Sequence, residues 1–393
     1  MGHTPYSTTM YPPSARHRMR AVESLHATNP SRGRQDSLPE VVEGIAQAMP
    51  TMKISKIYTY PIKGMRATEL ETEVVTKHGF PYDRRYMLLE VAEDGSYKNM
   101  AIAYYPLMSR YFPTINDDES FSLSFRPADG EEKSINIPLK PKVDDLEEVE
   151  VTMHKSPTKA YKMEQKYNDW FSSTFGFDCV LVYLGSDMRK VLMSVNGNAP
   201  KASAPGGWLS SISSKASQLV MGAGEQENKI TFADCAPYLV VSEKSMDDVH
   251  SRMNDGSKYD IMKFRPNIIV SGAEEVWEED FWGELTIDGK TKIECEHNCA
   301  RCKSLNIDYD TGKPGTGESG SMLKKLASNR RVDPGMKWSP VFGRYSFLDA
   351  ESEGNKIKVG DEVVVSKRND ERSKFGSYNC LVAVIMQSRL TFS

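Results

Sequence analysis

Short hydrophobic segments that end at Gly, Pro or Asp recur between residues 52 and 366, and they constrain the fold more than any other feature. Tyr86–Val91 has the length and composition of a buried strand, and the Asp94-Gly95 pair that follows is typical of a hairpin turn. Tyr238–Val241 and Ile268–Val270 predict two further buried strands. The sequence therefore favours a β-rich α+β fold with few helices.

The helical patterns are short and isolated. Tyr167, Trp170 and Phe171 share one face at helical spacing ahead of Gly176, which predicts a helix over residues 163–175.

Two further signals mark the second half of the chain. Ser245, with Asp248 three residues later, is typical of a capping box and predicts a short helix that ends near Met253. The segment Ile357–Val365 predicts two strands joined by a turn at Gly360.

Length and composition limit the class of protein. A chain of 393 residues is long enough for two domains, and 39% hydrophobic with 26% charged residues excludes wholesale disorder. Fifty basic and 54 acidic residues give a net charge of −4, which does not favour binding to nucleic acid. No apolar run approaches the roughly 18 residues that a membrane span needs. We expect a soluble intracellular monomer without a transmembrane segment.

Residues 1–50 differ from the rest of the chain because they are rich in Pro, Ser and Thr. A group of arginines at 16–20 with no acid before Glu23 resembles a weak organelle transit sequence, but the Pro12-Pro13 pair breaks the amphipathic helix that such a signal needs. The alternatives are a disordered extension or an upstream stretch included by a wrong start codon. We predict a disordered extension and a cytoplasmic location, with a mitochondrial location as the alternative.

Composition also suggests the boundaries of the other segments. Residues 186–226 are rich in Gly, Ser, Ala and Pro, which is typical of a flexible insert, or of a lid over a substrate pocket. We predict a first β domain over 51–185, a second over 227–367, and an atypical tail over 368–393.

Three of the six cysteines fall within eight positions, and this cluster is the best chemical clue in the chain. Cys295, Cys299 and Cys302 have the spacing of the iron–sulfur motif in radical S-adenosylmethionine enzymes. In that family most of a large α/β barrel follows the motif, whereas only the last quarter of this chain does. Together with His297 the cysteines could instead bind zinc, but one short stretch cannot easily wrap a tetrahedral site.

In two other interpretations the three cysteines do not bind one metal together. Free cysteines are commonly buried, and we expect this of Cys295. A thiolate near Arg301 could alternatively bind a soft metal whose other ligands come from a cofactor, as pterin dithiolenes provide for molybdenum.

The cysteine cluster belongs to a set of motifs. Cys299-Ala300-Arg301-Cys302, followed by Asp308–Gly312, resembles the signature of MOSC-domain proteins, and in particular of the mitochondrial amidoxime-reducing component branch. Six further segments resemble motifs of the same family: Tyr60–Gly64, Asp83–Met87, Phe232–Pro237, Phe264–Asn267, Ser339–Gly343 and Val359–Asp361. Seven motifs in the order of the family cover residues 52–366.

The resemblance implies a MOSC β-barrel domain, similar to the pyruvate-kinase β-barrel, preceded by a MOSC N-terminal β-barrel-like domain. It also implies a molybdenum cofactor, Mo-molybdopterin, with Cys302 as the catalytic, metal-binding thiol. Lys63, Arg84 and Arg265 match the family's basic contacts. Three cations from separate segments would converge unfavourably unless an anion such as the pterin phosphate lay between them.

The remaining cofactor contacts implied by the resemblance are Gly64, Asp234, Cys235, Ala236, Asn267 and Arg301. Backbone N–H groups of Gly64, Cys235 and Ala236 would face the ligand, although relatives often carry serine at the first and third of these positions. Asp234 would orient its loop, hydrogen-bond the pterin or cap a turn. Asn267 would contact the cofactor edge or only the loop backbone.

The implied activity is that of an oxidoreductase that reduces N-hydroxylated substrates of the amidoxime or hydroxylamine type, by two-electron removal of oxygen at a Cys-ligated molybdenum. The sequence carries no convincing motif for a second redox centre, so we expect an external electron donor; the resemblance implies cytochrome b5 and its reductase. A cofactor carrier or sulfur-transfer protein is the first alternative, and a purely structural β-barrel is the second. Pyridoxal phosphate binding would be only a family label, because no lysine context supports it.

Overall fold

The computed structural model describes residues 51–191 and 228–375, and all of them belong to one compact unit. The strands are β1 (Met52–Thr59), β2 (Thr68–Leu70), β3 (Thr72–Val74), β4 (Tyr86–Val91), β5 (Tyr97–Asn99), β6 (Tyr111–Ile115), β7 (Ser120–Phe125), β8 (Lys133–Pro138), β9 (Glu147–Met153), β10 (Ser156–Lys162), β11 (Cys179–Tyr183), β12 (Arg189–Lys190), β13 (Lys229–Ile230), β14 (Tyr238–Ser242), β15 (Ile268–Ser271), β16 (Trp282–Ile287), β17 (Thr291–Ala300), β18 (Ile307–Asp308), β19 (Lys313–Pro314), β20 (Val341–Leu348), β21 (Lys356–Lys358) and β22 (Glu362–Arg368). The α-helices are α1 (Gln165–Phe175), α2 (Ser245–Ser251) and α3 (Met322–Ala327). Short 3-10 helices span Pro106–Arg110, Ile261–Phe264, Glu278–Phe281, Lys303–Asn306, Ser319–Ser321 and Ala350–Ser352.

Seven strands form a closed barrel in the order β15-β14-β20-β17-β16-β22-β1, and the pairing of β1 with β15 closes it. Only β14 and β15 run parallel within this barrel. The core around β1 and β16 contains Ile57, Trp282 and Leu285, all fully buried. Because β1 comes from the start of the described chain and its barrel partners come from the second half, the barrel requires both parts.

The other sheets form the barrel-like N-terminal region. A five-stranded antiparallel sheet has the order β5-β4-β11-β10-β9, and a three-stranded sheet has the order β6-β7-β8. Tyr111 joins α1 to this region, since its ring stacks on Phe175 at 5.0 Å and lies 4.7 Å from Phe125. Short two-stranded pairings link β12 to β13, β18 to β19 and β3 to β21.

The predicted β-rich α+β fold, with a barrel and a barrel-like region before it, is confirmed. The strand Tyr86–Val91 pairs with β5 across a tight turn at Gly95, as predicted. Helix α1 ends at Gly176, which adopts a left-handed conformation with φ of 81°. Tyr167 and Phe171 are buried on its inner face.

One local prediction, the capping box of α2, is wrong, although the short helix itself is present. Ser245 does not cap α2, because its hydroxyl donates to the buried carboxylate of Glu279 at 2.7 Å. Asp248 accepts instead from Arg252 at 2.7 Å, one turn further along the helix. The two strands predicted around a turn at Gly360 are confirmed as β21 and β22. They do not pair with each other, since β21 pairs with β3 while β22 pairs with β1 and β16. Both Ser245 and these strands therefore have partners that are distant in sequence.

Several predictions fall on residues that the structure does not describe. The N-terminal extension, most of the flexible insert and the end of the C-terminal tail lie outside the described residues. At the edges of these segments, Arg189–Lys190 pairs with Lys229–Ile230, and Phe375 is buried. The predicted domain boundaries stay predictions. Among the helices of residues 51–191 and 228–375, none has the length and apolar character that crossing a membrane requires.

Candidate functional site

The turn after β1 places Tyr60 at the centre of a buried, charged network. Its ring is fully buried, and the guanidinium carbons of Arg84 and Arg265 each lie 4.5 Å from the ring centroid. Its hydroxyl donates to the carbonyl of Pro266 at 3.0 Å. Cations over an aromatic face are stabilised most where water is excluded. Tyr60 thus joins two predicted cofactor-binding arginines that come from opposite halves of the chain.

Asp83 neutralises one of these arginines. Its buried carboxylate forms an ion pair with Arg84 and accepts from the Tyr60 N–H at 2.9 Å. Burial disfavours the charge of Arg84, but Asp83 together with Tyr60 and Asp234 outweighs burial and raises the pKa of the guanidinium. The same guanidinium donates to the carbonyl of Arg265 at 3.2 Å. The two arginines are therefore held in contact by backbone as well as by the tyrosine ring.

The side-chain amide of Asn267 completes this network. Its nitrogen donates to Asp83 Oδ1 and to the Tyr58 carbonyl, each at 3.2 Å. Its oxygen accepts from Arg84 and from the Leu239 N–H, again at 3.2 Å. Both amide donors and both acceptor positions are in use. Of the two predicted roles of Asn267, the structure supports the one in which it holds the loop framework.

Arg84 and Arg265 both adopt left-handed backbone conformations, with φ of 51° and 59°. For a residue with a side chain this costs on the order of 1–2 kcal/mol, so the surrounding contacts must hold it in place. At Arg84 they do so directly, because its N–H donates to the Tyr60 carbonyl at 2.7 Å and its carbonyl accepts from the Phe232 N–H at 3.0 Å. Backbone strain of this kind concentrates at functional sites.

Lys63 lies in a second ionic cluster. Its ammonium donates to the Phe232 carbonyl at 3.0 Å and forms an ion pair with Asp234. His154 Nε2 lies 3.5 Å from the same carboxylate. Burial lowers the pKa of Lys63 and Asp234 offsets only part of this effect. Burial also opposes ionisation of Asp234, but Lys63 and His154 outweigh it and hold its pKa well below the ordinary value.

These contacts revise the expectation that the predicted cations converge only around an anionic ligand. Acidic residues of the chain itself neutralise Lys63 and Arg84. Arg265 is different, because its Nη1 donates to the Met65 carbonyl at 2.8 Å while its buried Nη2 has no hydrogen-bond partner in the described part of the chain. An unmet buried guanidinium N–H is costly, and it leaves Arg265 with a donor that an anionic group could use.

Gly64 has a packing role that the sequence did not indicate. It adopts φ of 87°, and an added Cβ would lie 2.6 Å from the Met108 Cε. The close neighbour at this turn is therefore a side chain of the same protein. Cys235 and Ala236 are both buried in a small cluster with Phe375. The predicted contacts of these three residues with a cofactor stay predictions.

Strand β17 and the loop after it separate the three clustered cysteines. Cys295 is buried and its sulfur accepts from the Ser346 hydroxyl at 3.5 Å, so its predicted burial is confirmed. Cys299 is also buried and accepts from Arg301 Nη1 at 2.8 Å. Burial raises the pKa of both thiols. No group of three or more His, Cys, Asp or Glu residues within 51–191 and 228–375 is arranged to hold a metal ion.

Cys302 lies beyond the end of β17 and is exposed. Its sulfur is 3.2 Å from the Ser304 hydroxyl, which can donate to a thiolate. The next residue, Lys303, places its ammonium 3.7 Å from the ring centroid of the exposed Tyr104. An accessible thiol with a hydroxyl donor beside it is suited to act as a single ligand of a soft metal.

Arg301 ties the loop of Cys302 to the turn of Arg265. Its Nη2 donates to the carbonyl of Phe264 at 2.8 Å, and its guanidinium lies 5.3 Å from the ring of that residue. The guanidinium of Arg301 donates to the buried Cys299, and its charge acts on Cys302 as well, though less strongly. The expected role of Arg301 beside a metal-binding thiolate stays a prediction. One buried arginine therefore connects the predicted metal-binding thiol to the network around Tyr60.

Some residues of this region were not singled out from the sequence. Arg189 is buried and donates to the carbonyls of Met153 at 3.3 Å and Thr231 at 3.1 Å, which anchors the loop that carries Asp234. Asp83 is the first residue of one of the seven motifs, so the sequence could have identified it as a candidate site residue. Arg189 and His154 lie outside every motif, so only the tertiary structure identifies them.

Comparison with known proteins identifies the class. The MOSC domain model matches residues 227–364, and the model of the MOSC N-terminal beta barrel domain matches residues 51–178. The two models together cover well over half of the chain in the order that the motifs predicted. The chain therefore belongs to the MOSC-domain family.

Similar proteins carry two kinds of name. The chain is 38% identical to mitochondrial amidoxime-reducing component 1 of Homo sapiens over 141 residues, which are 35% of this chain and 39% of that protein. It is 26% identical to the Mus musculus protein of the same name over 319 residues, 79% of this chain and 81% of that protein. It is 24% identical to the molybdenum cofactor sulfurase of Oryza sativa subsp. japonica over 352 residues, 84% of this chain and 38% of the sulfurase.

The match spans about two fifths of the length of the human and rice relatives. Among solved structures, the YUAD protein of Bacillus subtilis is similar at 8% identity and a TM-score of 0.31, with 80% of this chain and 94% of that chain covered. A likeness at this TM-score carries no argument about the fold.

Proposed function

We propose that this chain binds the molybdenum cofactor and reduces N-hydroxylated compounds of the amidoxime or hydroxylamine type. One observation carries the proposal: the exposed thiol of Cys302 lies on the loop that Arg301 fastens to the turn of Arg265. A soft ligand for the metal and an unmet cationic donor for an anion are thus placed on adjoining loops. The similarity to proteins named amidoxime-reducing components supports the choice of reaction.

The donor set fits the cofactor. Cys302 would bind the metal, with the Ser304 hydroxyl donating to its sulfur and so favouring the thiolate. Arg265, Lys63 and Arg84 would face the anionic pterin. When bound, the cofactor supplies two-electron chemistry that removes oxygen from nitrogen, and the protein supplies binding and orientation.

The proposal includes the partners of the reaction. The substrate would be a small N-hydroxylated molecule, and electrons would come from an external donor, cytochrome b5 with its reductase. The monomeric state and the cytoplasmic location stay part of the proposal.

A second candidate is a carrier of the molybdenum cofactor, or a sulfur-transfer protein, without substrate turnover. The observation that favours it is the match to a molybdenum cofactor sulfurase over 84% of this chain. Both candidates use the same cofactor contacts, so they differ only in whether bound cofactor turns over substrate.

Molybdenum and pterin per chain, measured on protein from a cofactor-competent host, test the proposal together with benzamidoxime reduction. We expect about one molybdenum per wild-type chain, and activity that is abolished in Cys302→Ser because the metal loses its protein ligand. Cys179→Ser is the thiol control, since Cys179 is buried in the separate core near α1.

Each alternative result has a defined meaning. Pterin and molybdenum without turnover, under any supplied reductant, would favour the carrier. Protein from the same host that contains neither would contradict both candidates.

A further inference from the structure

We propose that a buried tyrosine and the three cations around it form a binding subsite for a phosphate-class anion, separate from the Lys63 and Arg84 ion pairs. The residues of this anion subsite are Tyr309, Arg66, Lys263 and Arg265. Only the source of the anion rests on the proposed function; the existence of the subsite does not.

Tyr309 is the centre of the anion subsite. It follows β18, is 4% exposed, and its buried hydroxyl lies near Arg265 but forms no well-aligned hydrogen bond with the residues that the structure describes. The guanidinium carbon of Arg66 lies 4.7 Å from its ring centroid, and the ammonium of Lys263 lies 5.5 Å from it. Burial raises the pKa of Tyr309 even though Arg265 acts against it, so the hydroxyl is a neutral donor.

Lys263 is a largely buried lysine whose ammonium forms no ion pair with an acidic residue of the described ranges. It is 7% exposed, and within the described ranges its ammonium forms neither a hydrogen bond nor an ion pair. Its contacts are the rings of Tyr259, at 4.7 Å, and of Tyr309. Burial lowers the pKa of Lys263, and the more distant carboxylates of Asp260 and Asp308 offset only part of this effect. A buried charge in this state needs a counter-ion.

Arg66 and Arg265 each keep one buried guanidinium nitrogen without a hydrogen bond in the described residues. The Nη1 of Arg66 is buried without a hydrogen bond, and the nearest acidic group is Asp260 Oδ2 at 3.7 Å. The Nη2 of Arg265 is equally unpartnered. The acidic groups near these cations are Asp260, which pairs with Arg66, and Asp308 and Asp310, which act on Lys263 without an ion pair. None of them accepts a hydrogen bond from the three cations within the described residues, in a region where charges interact strongly because water is scarce.

The donor types indicate which anion fits. Two guanidinium groups, one ammonium and one phenol offer several N–H and O–H donors to tetrahedral oxygens, which is the chemistry that recognises phosphate. Two sources have this chemistry: the terminal phosphate of the pterin, and an anionic group on the substrate. Asp234 and Asp83 already neutralise Lys63 and Arg84, whereas the anion subsite keeps buried N–H and O–H donors without a hydrogen bond in the described residues.

Calorimetric titration with inorganic phosphate tests the anion subsite directly. The full-length chain is purified from a host that makes no pterin, so the result does not depend on any reductase activity. We expect wild type to bind phosphate, Lys263→Met to weaken binding about tenfold or more, and Tyr309→Phe to weaken it several-fold, because each loses one donor to the anion. Lys98→Met is the control, since Lys98 is an exposed lysine on β5.

Thermal unfolding separates loss of binding from loss of folding. Methionine fits the space of a buried lysine stem, so Lys263→Met should unfold at the wild-type temperature or above it without phosphate. Phosphate should then raise the unfolding temperature of wild type and not that of the variant. Absence of phosphate binding to wild type, or equal affinity in wild type and Lys263→Met, would overturn the proposal.

The holoenzyme distinguishes the two sources. If the pterin phosphate occupies the anion subsite, Lys263→Met loses pterin on dialysis and the loaded wild type no longer binds phosphate. If a substrate anion does, pterin is retained, and KM rises for 4-carboxybenzamidoxime but not for benzamidoxime. Unchanged pterin retention together with unchanged KM for both substrates would show that the proposal is wrong for the holoenzyme.

Discussion

At the residue scale, Glu279 and Asp280 illustrate how partners decide the state of a buried acid. Asp280 forms ion pairs with Arg330 at 2.7 Å and Arg372 at 2.8 Å. Glu279 is equally buried, but the contact to its carboxylate is the Ser245 hydroxyl at 2.7 Å. Burial, opposed in part by Ser245, raises the pKa of Glu279 to about 8.

This raised pKa predicts a pH-dependent stability. Between the ordinary glutamate pKa and about 8 the folded protein holds a proton that the unfolded chain has lost, so stability falls as pH rises through this window. Each pKa unit corresponds to about 1.4 kcal/mol, so the loss should be on the order of a few kcal/mol. Glu279→Gln should match wild type near pH 5 and exceed it at pH 8 in urea unfolding.

The matched control is Glu243→Gln, because Glu243 is exposed and precedes the same helix. It should leave the pH profile unchanged. A Glu279→Gln variant with the wild-type pH profile would contradict the assignment of the buried proton.

The candidate site could be predicted from the sequence only as a set of residues. The motifs identify Lys63, Arg84, Arg265 and Cys302 by type and order. They do not show that two of these cations are neutralised within the protein, or that Arg301 is directed at Cys299. A motif specifies identity, whereas the charge state of a buried group depends on partners from other segments.

At the scale of single elements, helix α1 was predictable because its signals are local. The spacing of its apolar residues and the glycine after its last turn both lie within a dozen positions. Gly176 has open space where a Cβ would be added, so only its left-handed φ of 81° restricts the residue type.

Gly176→Ala should therefore destabilise the protein by about 1 kcal/mol through backbone strain alone. Gly176→Asn should cost less, since asparagine tolerates the left-handed region. Urea unfolding checks both values, with Ser173→Ala on the exposed face of α1 as the control. Equal stability of the alanine variant and wild type would show that α1 ends differently in solution.

Helix α2 was predicted correctly but its cap was not, because a tertiary partner replaced the local one. The hydroxyl of Ser245 gains more from the buried Glu279 carboxylate than from an exposed helix end. At Gly360 the two strands were predicted correctly, but their partners β3, β1 and β16 are distant in sequence and could not be read from the local pattern.

At the scale of the whole molecule, β1 makes the barrel depend on both halves of the chain. Its residues pair with β15 on one side and with β22 on the other. The turn that follows β1 carries Tyr60, so closing the barrel also assembles the network of Arg84 and Arg265.

A fragment of residues 227–375 should consequently fail to fold, although it contains the whole segment that matches the MOSC domain model. Without β1, the edges of β15 and β22 and the side chains around Trp282 are open to water. Circular dichroism and thermal melting check this, with residues 51–375 as the control. A cooperative melt of the shorter fragment would contradict the role of β1 in closure.

The sequence by itself determined the β-rich class, the position of α1, the seven motifs in order and, through them, the family. These features depend on residue type and short-range spacing, which are written directly in the chain. Only the tertiary structure decided which groups meet: Asp83 with Asn267, Arg301 with Phe264, and Arg66 with Tyr309. These partners are tens to hundreds of positions apart and meet only in the folded chain, so no local pattern could have shown which charges are balanced and which donors stay without a hydrogen bond.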